Sequence, residues 1–218
     1  MKYSTLFFDL DGTLTDSAEG IYNSVAFALE KLGHPVSDKT TLKPFLGPPL
    51  TESFRDICGF DEETTLLGVK YYREYYPQKG IFENKLYKGI PELLKKLSEN
   101  GIKIALATSK PELFAVRIME HFGIDRYFDV MIGSTLDTSR QIKSDVLRYA
   151  VEKVGLRDLS QGLMIGDRKH DILGAHEVGI PCAAVLYGYG SREEFEKYNA
   201  DYIIADIDEL ERFLLDEN

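Results

Sequence analysis

Near the start of the chain stands Thr5-Leu6-Phe7-Phe8-Asp9-Leu10-Asp11-Gly12-Thr13-Leu14. The apolar run Thr5 to Leu10 is too short for a helix and rich in phenylalanine. It reads as a buried strand that ends at the turn residues Asp11-Gly12. Four more runs of this kind follow: Ile102 to Ala107, Val130 to Gly133, Leu163 to Gly166 and Cys182 to Leu186. Helical patterns lie between them. Pro91 opens one, with Leu93, Leu94 and Leu97 on a face and Gly101 as its stop. Pro111 opens the next, which carries Phe114, Ile118 and Phe122 before Gly123. A third carries Val146, Leu147, Ala150, Val151 and Val154 and stops at Gly155. Proline near a helix start and glycine just past its end is the expected asymmetry. Asp206-x-x-Glu209 reads as a capping box for a last helix that buries Leu210, Phe213 and Leu214. Strand alternating with helix predicts an α/β fold with a mostly parallel sheet covered on both faces.

Residues 15–84 break the alternation. Asp16-x-x-Glu19 has the spacing to cap a helix with Ile21, Val25, Ala28, Leu29 and Leu32 on one side, ended by Gly33 and Pro35. Further helical patterns cover roughly 50–58 and 61–79, and no strand is expected between Leu14 and Tyr87. The simplest organisation is a core of residues 1–14 and 85–218 with a small all-helical domain, 15–84, inserted after the first strand.

Composition sets outer limits. The chain has 218 residues, 44% hydrophobic and 28% charged, which excludes a mostly disordered chain, a collagen-like repeat and a disulfide scaffold. Twenty-six basic against 36 acidic residues leave a formal net charge of −10. That speaks against nonspecific nucleic-acid binding, which rests on basic side chains. A small anionic substrate stays open, provided the site supplies local positive charge. Cys58 and Cys182 show no CxxC spacing, so no structural metal site is expected. With no secretion signal in view, two unpaired thiols fit a reducing cytoplasm. No apolar run reaches the roughly 18 residues of a membrane span. The expected protein is therefore cytoplasmic, with neither nucleic acid nor membrane as partner, and either a monomer or a small homo-oligomer.

In an open parallel sheet, ligands bind beyond the carboxyl ends of the strands. Asp9 and Asp11 end the first strand, Thr108 and Ser109 the second, and Asp167 and Asp171 follow the fourth. Lys143 falls just before a helix, and Lys110 is its nearest rival. Four carboxylates at one edge repel: a like-charge pair at about 4 Å costs on the order of 4 kcal/mol at an effective dielectric of about 20. A cation must resolve this, and hard oxygen ligands without cysteine or a histidine pair point to magnesium. Lysine and a hydroxyl then suit the oxygens of a phosphoryl group.

On these residues the chain resembles the haloacid dehalogenase-like hydrolase superfamily. The DxDGT stretch at Asp9, the threonine at 108, the lysine at 143 and the GDxxxD stretch Gly166-Asp167-Arg168-Lys169-His170-Asp171 stand in that family's order and rough spacing. Within it they look most like the phosphoglycolate phosphatase-like group, which includes members described as 5′-nucleotidases. The resemblance covers the whole chain and implies a Rossmann-like core with a helical cap. It implies that Asp9 is a nucleophile forming an aspartyl-phosphate, and Asp11 the general acid and then base. It also implies that Thr108 bonds the transferring phosphoryl, with Ser109 beside it, and that Lys143 offsets its charge and steadies Asp9. Gly12 would let the backbone approach the phosphate. Magnesium would be held by Asp9, the backbone carbonyl of Asp11 and Asp167, with Asp171 binding through water or orienting the others. One departure is Ser144, where the family often has proline; a serine there can cap the following helix.

The aspartate at 11 favours a phosphatase or phosphomutase over a dehalogenase or an ion-pumping ATPase, and nothing local demands a mutase. The expected substrate is a small phosphorylated metabolite, phosphoglycolate first and a 5′-mononucleotide second. A binding protein that keeps the fold without turnover is opposed by the intact set of six site residues. Substrate selection is expected from the insertion, in the loop Lys43 to Pro49 with Lys43 and Gly47, and from Arg55. Tyr71, Tyr72, Tyr75 and Tyr76 have the spacing of residues that pack helices together. His170 reads as a neighbour of the ligands rather than a ligand itself.

Overall fold

The computed structural model describes residues 2–136 and 139–215. The chain separates into two compact units, Met1–Thr15 with Leu86–Asn218, and Asp16–Lys85. Strand β1 (Thr5–Phe8) is followed by β2 (Thr15–Asp16), and the chain then builds the second unit from α1 (Ala18–Lys31), α2 (Leu50–Asp56) and α3 (Glu62–Tyr75). It returns through β3 (Lys85–Leu86), which pairs with β2 in a two-stranded ribbon. These two-residue strands correct the expectation of no strand between Leu14 and Tyr87. Two residues cannot show an alternating pattern, so the sequence carries no sign of them.

In the helical unit, α1 buries Ile21, Val25, Ala28 and Leu29 and packs against α3. The expected Asp16–Glu19 capping box does not form. Helix α1 starts at Ala18, so Asp16 lies in extended backbone and its Oδ1 accepts the Ala18 N–H at 3.2 Å. Glu19 instead pairs with Lys85 at 3.3 Å. Asp61 does cap α3, accepting the Thr64 N–H at 2.8 Å. Pro77 has no N–H to continue that helix, and the chain passes into a single π turn, Tyr76–Gly80. Tyr75 joins two helices, its ring 5.4 Å from Phe27 of α1, while Tyr72 stacks on Tyr76 one turn further along its own segment with ring centroids 5.2 Å apart.

The first unit continues with α4 (Ile90–Glu99), β4 (Lys103–Pro111), α5 (Glu112–Phe122), β5 (Val130–Ser134), α6 (Lys143–Val154), β6 (Gly162–Gly166), α7 (Lys169–Val178), β7 (Cys182–Val185), α8 (Arg192–Lys197), β8 (Tyr202–Ile204) and α9 (Ile207–Leu215). Six strands form one parallel sheet in the order β5-β4-β1-β6-β7-β8. The five core strands read from the sequence are all present, with ends shifted by a few residues. β8 is an addition, too short at three residues to stand out in the pattern.

Alternation along the strands supplies both faces of the core. Phe7, Ala105, Ala107, Met164 and Cys182 pack with Val146 and Leu147 of α6, Ile172 and Ala175 of α7, and Phe195 of α8. Their neighbours Leu6, Phe8, Ile104, Leu106, Leu163 and Ile165 are buried as well. There α4 packs on β4 and α9 on α4, which buries Leu93, Leu94, Leu97, Leu210 and Leu214. Each large apolar side chain fully buried this way contributes about 1.5–3 kcal/mol. This is an α/β fold of the Rossmann-like kind. The strands run outward from β1 in both directions, so the order reverses between β1 and β6, the point where ligands bind at the carboxyl ends in open parallel sheets. No helix among the described residues is long and apolar enough to cross a membrane.

Candidate active site

Sheet register sets the site. Phe8 pairs with Leu106 on one side and with Ile165 on the other. Asp9 therefore leaves β1 level with Ala107 and Gly166, and its N–H donates to the Ile165 carbonyl at 2.9 Å. Asp167 follows one residue beyond, just past the end of the neighbouring strand. Asp9, Asp167 and Asp171 are all buried, and each offers a carboxylate oxygen within 4.8 Å of those of the other two.

Lys143 reaches this cluster from the first turn of α6. Its Nζ donates to Asp9 Oδ1 at 2.7 Å, to Asp171 Oδ1 at 2.7 Å and to the Ala107 carbonyl at 2.8 Å. An ammonium has three donors, and all three are engaged. Burial works against the charge of Lys143, yet the carboxylates of Asp171 and Asp9 outweigh it and hold the ammonium above the ordinary lysine range. Ser144 corrects an expectation: the N-cap residue is Ile142, so Ser144 lies buried inside the first turn and caps nothing. Lys143 takes the first helical position itself.

Three carboxylates against one ammonium leave two negative charges uncompensated. Burial, opposed by Lys143 and reinforced by Asp171, pushes the Asp9 carboxyl up to about 6. Burial and the charges of Asp171 and Asp9 raise Asp167 too, although the Tyr189 N–H opposes them. Asp167 Oδ1 is buried without a hydrogen-bond partner among the described residues. A dense set of hard oxygen donors, an orphaned buried carboxylate oxygen and a deficit of two charges fit a divalent cation.

The carboxylates are braced from behind. Asp171 Oδ2 accepts the N–H groups of Asp167 and Arg168 at 3.1 and 3.0 Å, which closes the turn at the start of α7. Glu194, from α8, accepts the Lys169 N–H at 2.6 Å and Arg168 Nε at 3.1 Å. The Tyr189 N–H donates to Asp167 Oδ2 at 2.7 Å. Gly12 and Gly188 admit these contacts: a Cβ on either would overlap the Asp167 side chain, and Gly12 has φ +84° besides. Sequence reasoning found Gly12 but missed Tyr189, Gly188 and Glu194. Backbone donors carry no residue-type signature, and Glu194 looks like any helix-surface acid. His170 is half-buried and stands outside the three-carboxylate cluster; burial lowers its tendency to take a proton.

Asp11 does not join the cluster through its side chain. Its Oδ2 accepts from Lys110 Nζ at 2.6 Å, in a pair that is largely buried. The lysine ranked second in the sequence thus reaches the site too, beside a different aspartate. Thr108 is buried on β4, and its Oγ1 accepts the Lys110 N–H at 3.2 Å, whereas Ser109 is exposed. In the helical unit, Lys43 and Gly47 are exposed around the end of a 3-10 helix, Lys39–Phe45. Arg55 is exposed and paired with Asp56 at 2.7 Å.

The family model described as haloacid dehalogenase-like hydrolase matches residues 6–185. A 5′-nucleotidase of Pseudomonas aeruginosa is 43% identical over 214 residues, 98% of this chain and 96% of that one. A tyrosine-protein kinase, PtkA, of Mycobacterium tuberculosis is 41% identical over 95% of this chain and 71% of its own. A phosphoglycolate phosphatase of Pseudomonas savastanoi is 32% identical over 93% of this chain and 76% of its own. A solved structure described as a predicted phosphatase from Clostridium acetobutylicum superposes with a TM-score of 0.92 at 46% identity, covering 99% of each chain.

Proposed function

This chain belongs to the haloacid dehalogenase-like hydrolase family and is a phosphatase, and we propose that it hydrolyses a small phosphomonoester through an aspartyl-phosphate on Asp9. The observation that carries this reading is the buried Asp9 carboxylate, set between Lys143 and two further carboxylates in a cluster able to hold a metal ion. In the first step an Asp9 oxygen bonds to phosphorus, the ester P–O bond breaks, and Asp11 gives a proton to the departing oxygen. In the second, Asp11 takes a proton from water, whose oxygen bonds to phosphorus. The acyl phosphate P–O bond breaks, phosphate leaves and the Asp9 carboxylate is restored.

Magnesium would be held by Asp9, Asp167 and the backbone carbonyl of Asp11, with Asp171 orienting the others. When bound, it offsets the charge of the carboxylates and the transferring phosphoryl group. Lys143 keeps Asp9 oriented and supplies the positive charge that lets an anion approach. Thr108, Ser109 and the Gly12 backbone line the phosphoryl position, and the transition state depends on such fixed donors. The helical unit is inserted directly after the DxDGT stretch, and we assign it the selection of substrate, with Lys43, Gly47 and Arg55 as its contacts.

Two alkyl phosphates stand foremost, a 5′-mononucleotide and phosphoglycolate. The higher identity to the Pseudomonas aeruginosa protein favours the nucleotide, against the order suggested by the motifs alone. Among the described residues Cys58 and Cys182 are free thiols, which supports work in a reducing cytoplasm. The test is phosphate release from a panel of phosphate esters, with magnesium and with chelator, ranked by kcat/KM. Chelator-sensitive turnover led by one of these two esters is expected. Isomerised sugar phosphate instead of free phosphate would replace hydrolysis by a mutase, and no turnover at all would end the reading.

A further inference from the structure

We infer that Lys110 is a positioning residue that divides the two oxygens of Asp11, holding Oδ2 as an anchor and leaving Oδ1 as the atom that carries the proton. The inference rests on the proposed role of Asp11 as acid and base. The Lys110 ammonium lies 2.6 Å from Oδ2, with its side chain only 7% exposed. An ammonium has donors and no acceptor, so the oxygen it holds must accept. When Asp11 carries a proton, that proton therefore sits on Oδ1. Oδ1 is buried and has no hydrogen-bond partner among the described residues, so no neighbour competes for it.

The backbone puts Lys110 in place. Between the pairs Ala107–Ile132 and Pro111–Ser134, β4 runs four residues while β5 runs two. The extra length bulges out as Thr108-Ser109-Lys110, and bulges beside sites re-aim side chains. The bulge is held at both ends. Lys110 N–H donates to Thr108 Oγ1, and a Cβ on Gly133 would come within 2.6 Å of the Lys110 carbonyl and the Glu112 backbone. Glu112 in turn accepts the Gly133 N–H at 3.1 Å and pairs with Arg140 at 2.7 Å. The lysine thus approaches Asp11 on a braced segment rather than as a swinging surface chain.

The test exploits leaving groups. An alkoxide needs a proton as it departs, whereas 4-nitrophenolate leaves without one. kcat/KM is measured on the full chain with magnesium for the better alkyl ester of the panel and for 4-nitrophenyl phosphate. General acid–base groups contribute about 10²–10⁴-fold, so a carboxyl that loses its aim should forfeit roughly ten- to a hundredfold. Lys110→Met should lower the alkyl-to-aryl ratio by at least about tenfold, and Lys110→Arg, which keeps a cationic donor, should recover much of it. In an Asp11→Asn background, Lys110→Met should leave the ratio where it is, because the two act as a unit. Lys110→Gln, which keeps a neutral donor, serves if the Met variant does not fold. An equal loss on both esters, or no loss, overturns the inference and leaves the phosphatase reading standing. A wild type that releases phosphate from neither ester removes both.

Discussion

Replacing Lys143 by methionine asks the most of this structure. The ammonium lies 2.7 Å from carboxylates on both Asp9 and Asp171. At an effective dielectric of about 20, each contact is worth roughly 6 kcal/mol of gross attraction. Most of that offsets the desolvation of the charges, and breaking a buried pair by deleting one partner costs about 3–5 kcal/mol. Lys143 serves two partners and a carbonyl, so the upper end is expected in chelator near neutral pH. A change of 1 kcal/mol moves the melting temperature of a domain of this size by about 2–4 °C. The calorimetric transition should thus fall by roughly 10–20 °C. Added magnesium should recover only part of the loss, because the cation binds the folded state but cannot replace a charge fixed at the end of α6. A loss below about 1 kcal/mol, the range of exposed ion pairs, would mean that the cluster does not depend on Lys143 and that its charge balance has been misread.

Three further outcomes can be checked. Asp9→Asn should abolish phosphate release while circular dichroism shows the fold intact, and substantial residual turnover would move the nucleophile elsewhere. In chelator, the folded protein holds the Asp9 proton up to about 6 while the unfolded chain releases it near 3.8. The folded state then binds more protons between those values, so stability should fall as pH rises through that window, by on the order of 3 kcal/mol. Asp9→Asn should lack this decline and magnesium should flatten it, so urea midpoints that rise with pH for wild type relative to the variant would contradict the assignment. Gly12→Ala should cost at least about 1–2 kcal/mol from its backbone angle alone, and more from overlap with Asp167; a urea midpoint unchanged from wild type would refute the close approach.

The carboxylates were legible because a parallel sheet sends every strand the same way. Once Thr5–Phe8 and Gly162–Gly166 are read as strands, Asp9 and Asp167 must lie at one edge. That Lys143 would meet Asp9 was legible only through resemblance, since nothing in its local sequence points to a strand more than a hundred residues away. The serine at 144 misled for the opposite reason: a good capping residue type does not cap when the helix begins two residues earlier than that cap requires. The capping box at Asp16 failed in the same way, by the offset of the helix start.

Residue type and spacing by themselves settled the α/β class and set out the expectations of an inserted helical segment and of acids gathered at one edge. These follow from hydrophobic periodicity and chain direction, which are local properties. Tertiary structure alone decided which charges meet: Lys143 between Asp9 and Asp171, Lys110 against Asp11, and the Tyr189 N–H against Asp167. Those pairings depend on register, on a bulge in β4 and on a loop returning from β7. A contact between distant segments is fixed only when packing brings the backbones within hydrogen-bond reach, and no pattern along the chain encodes that distance.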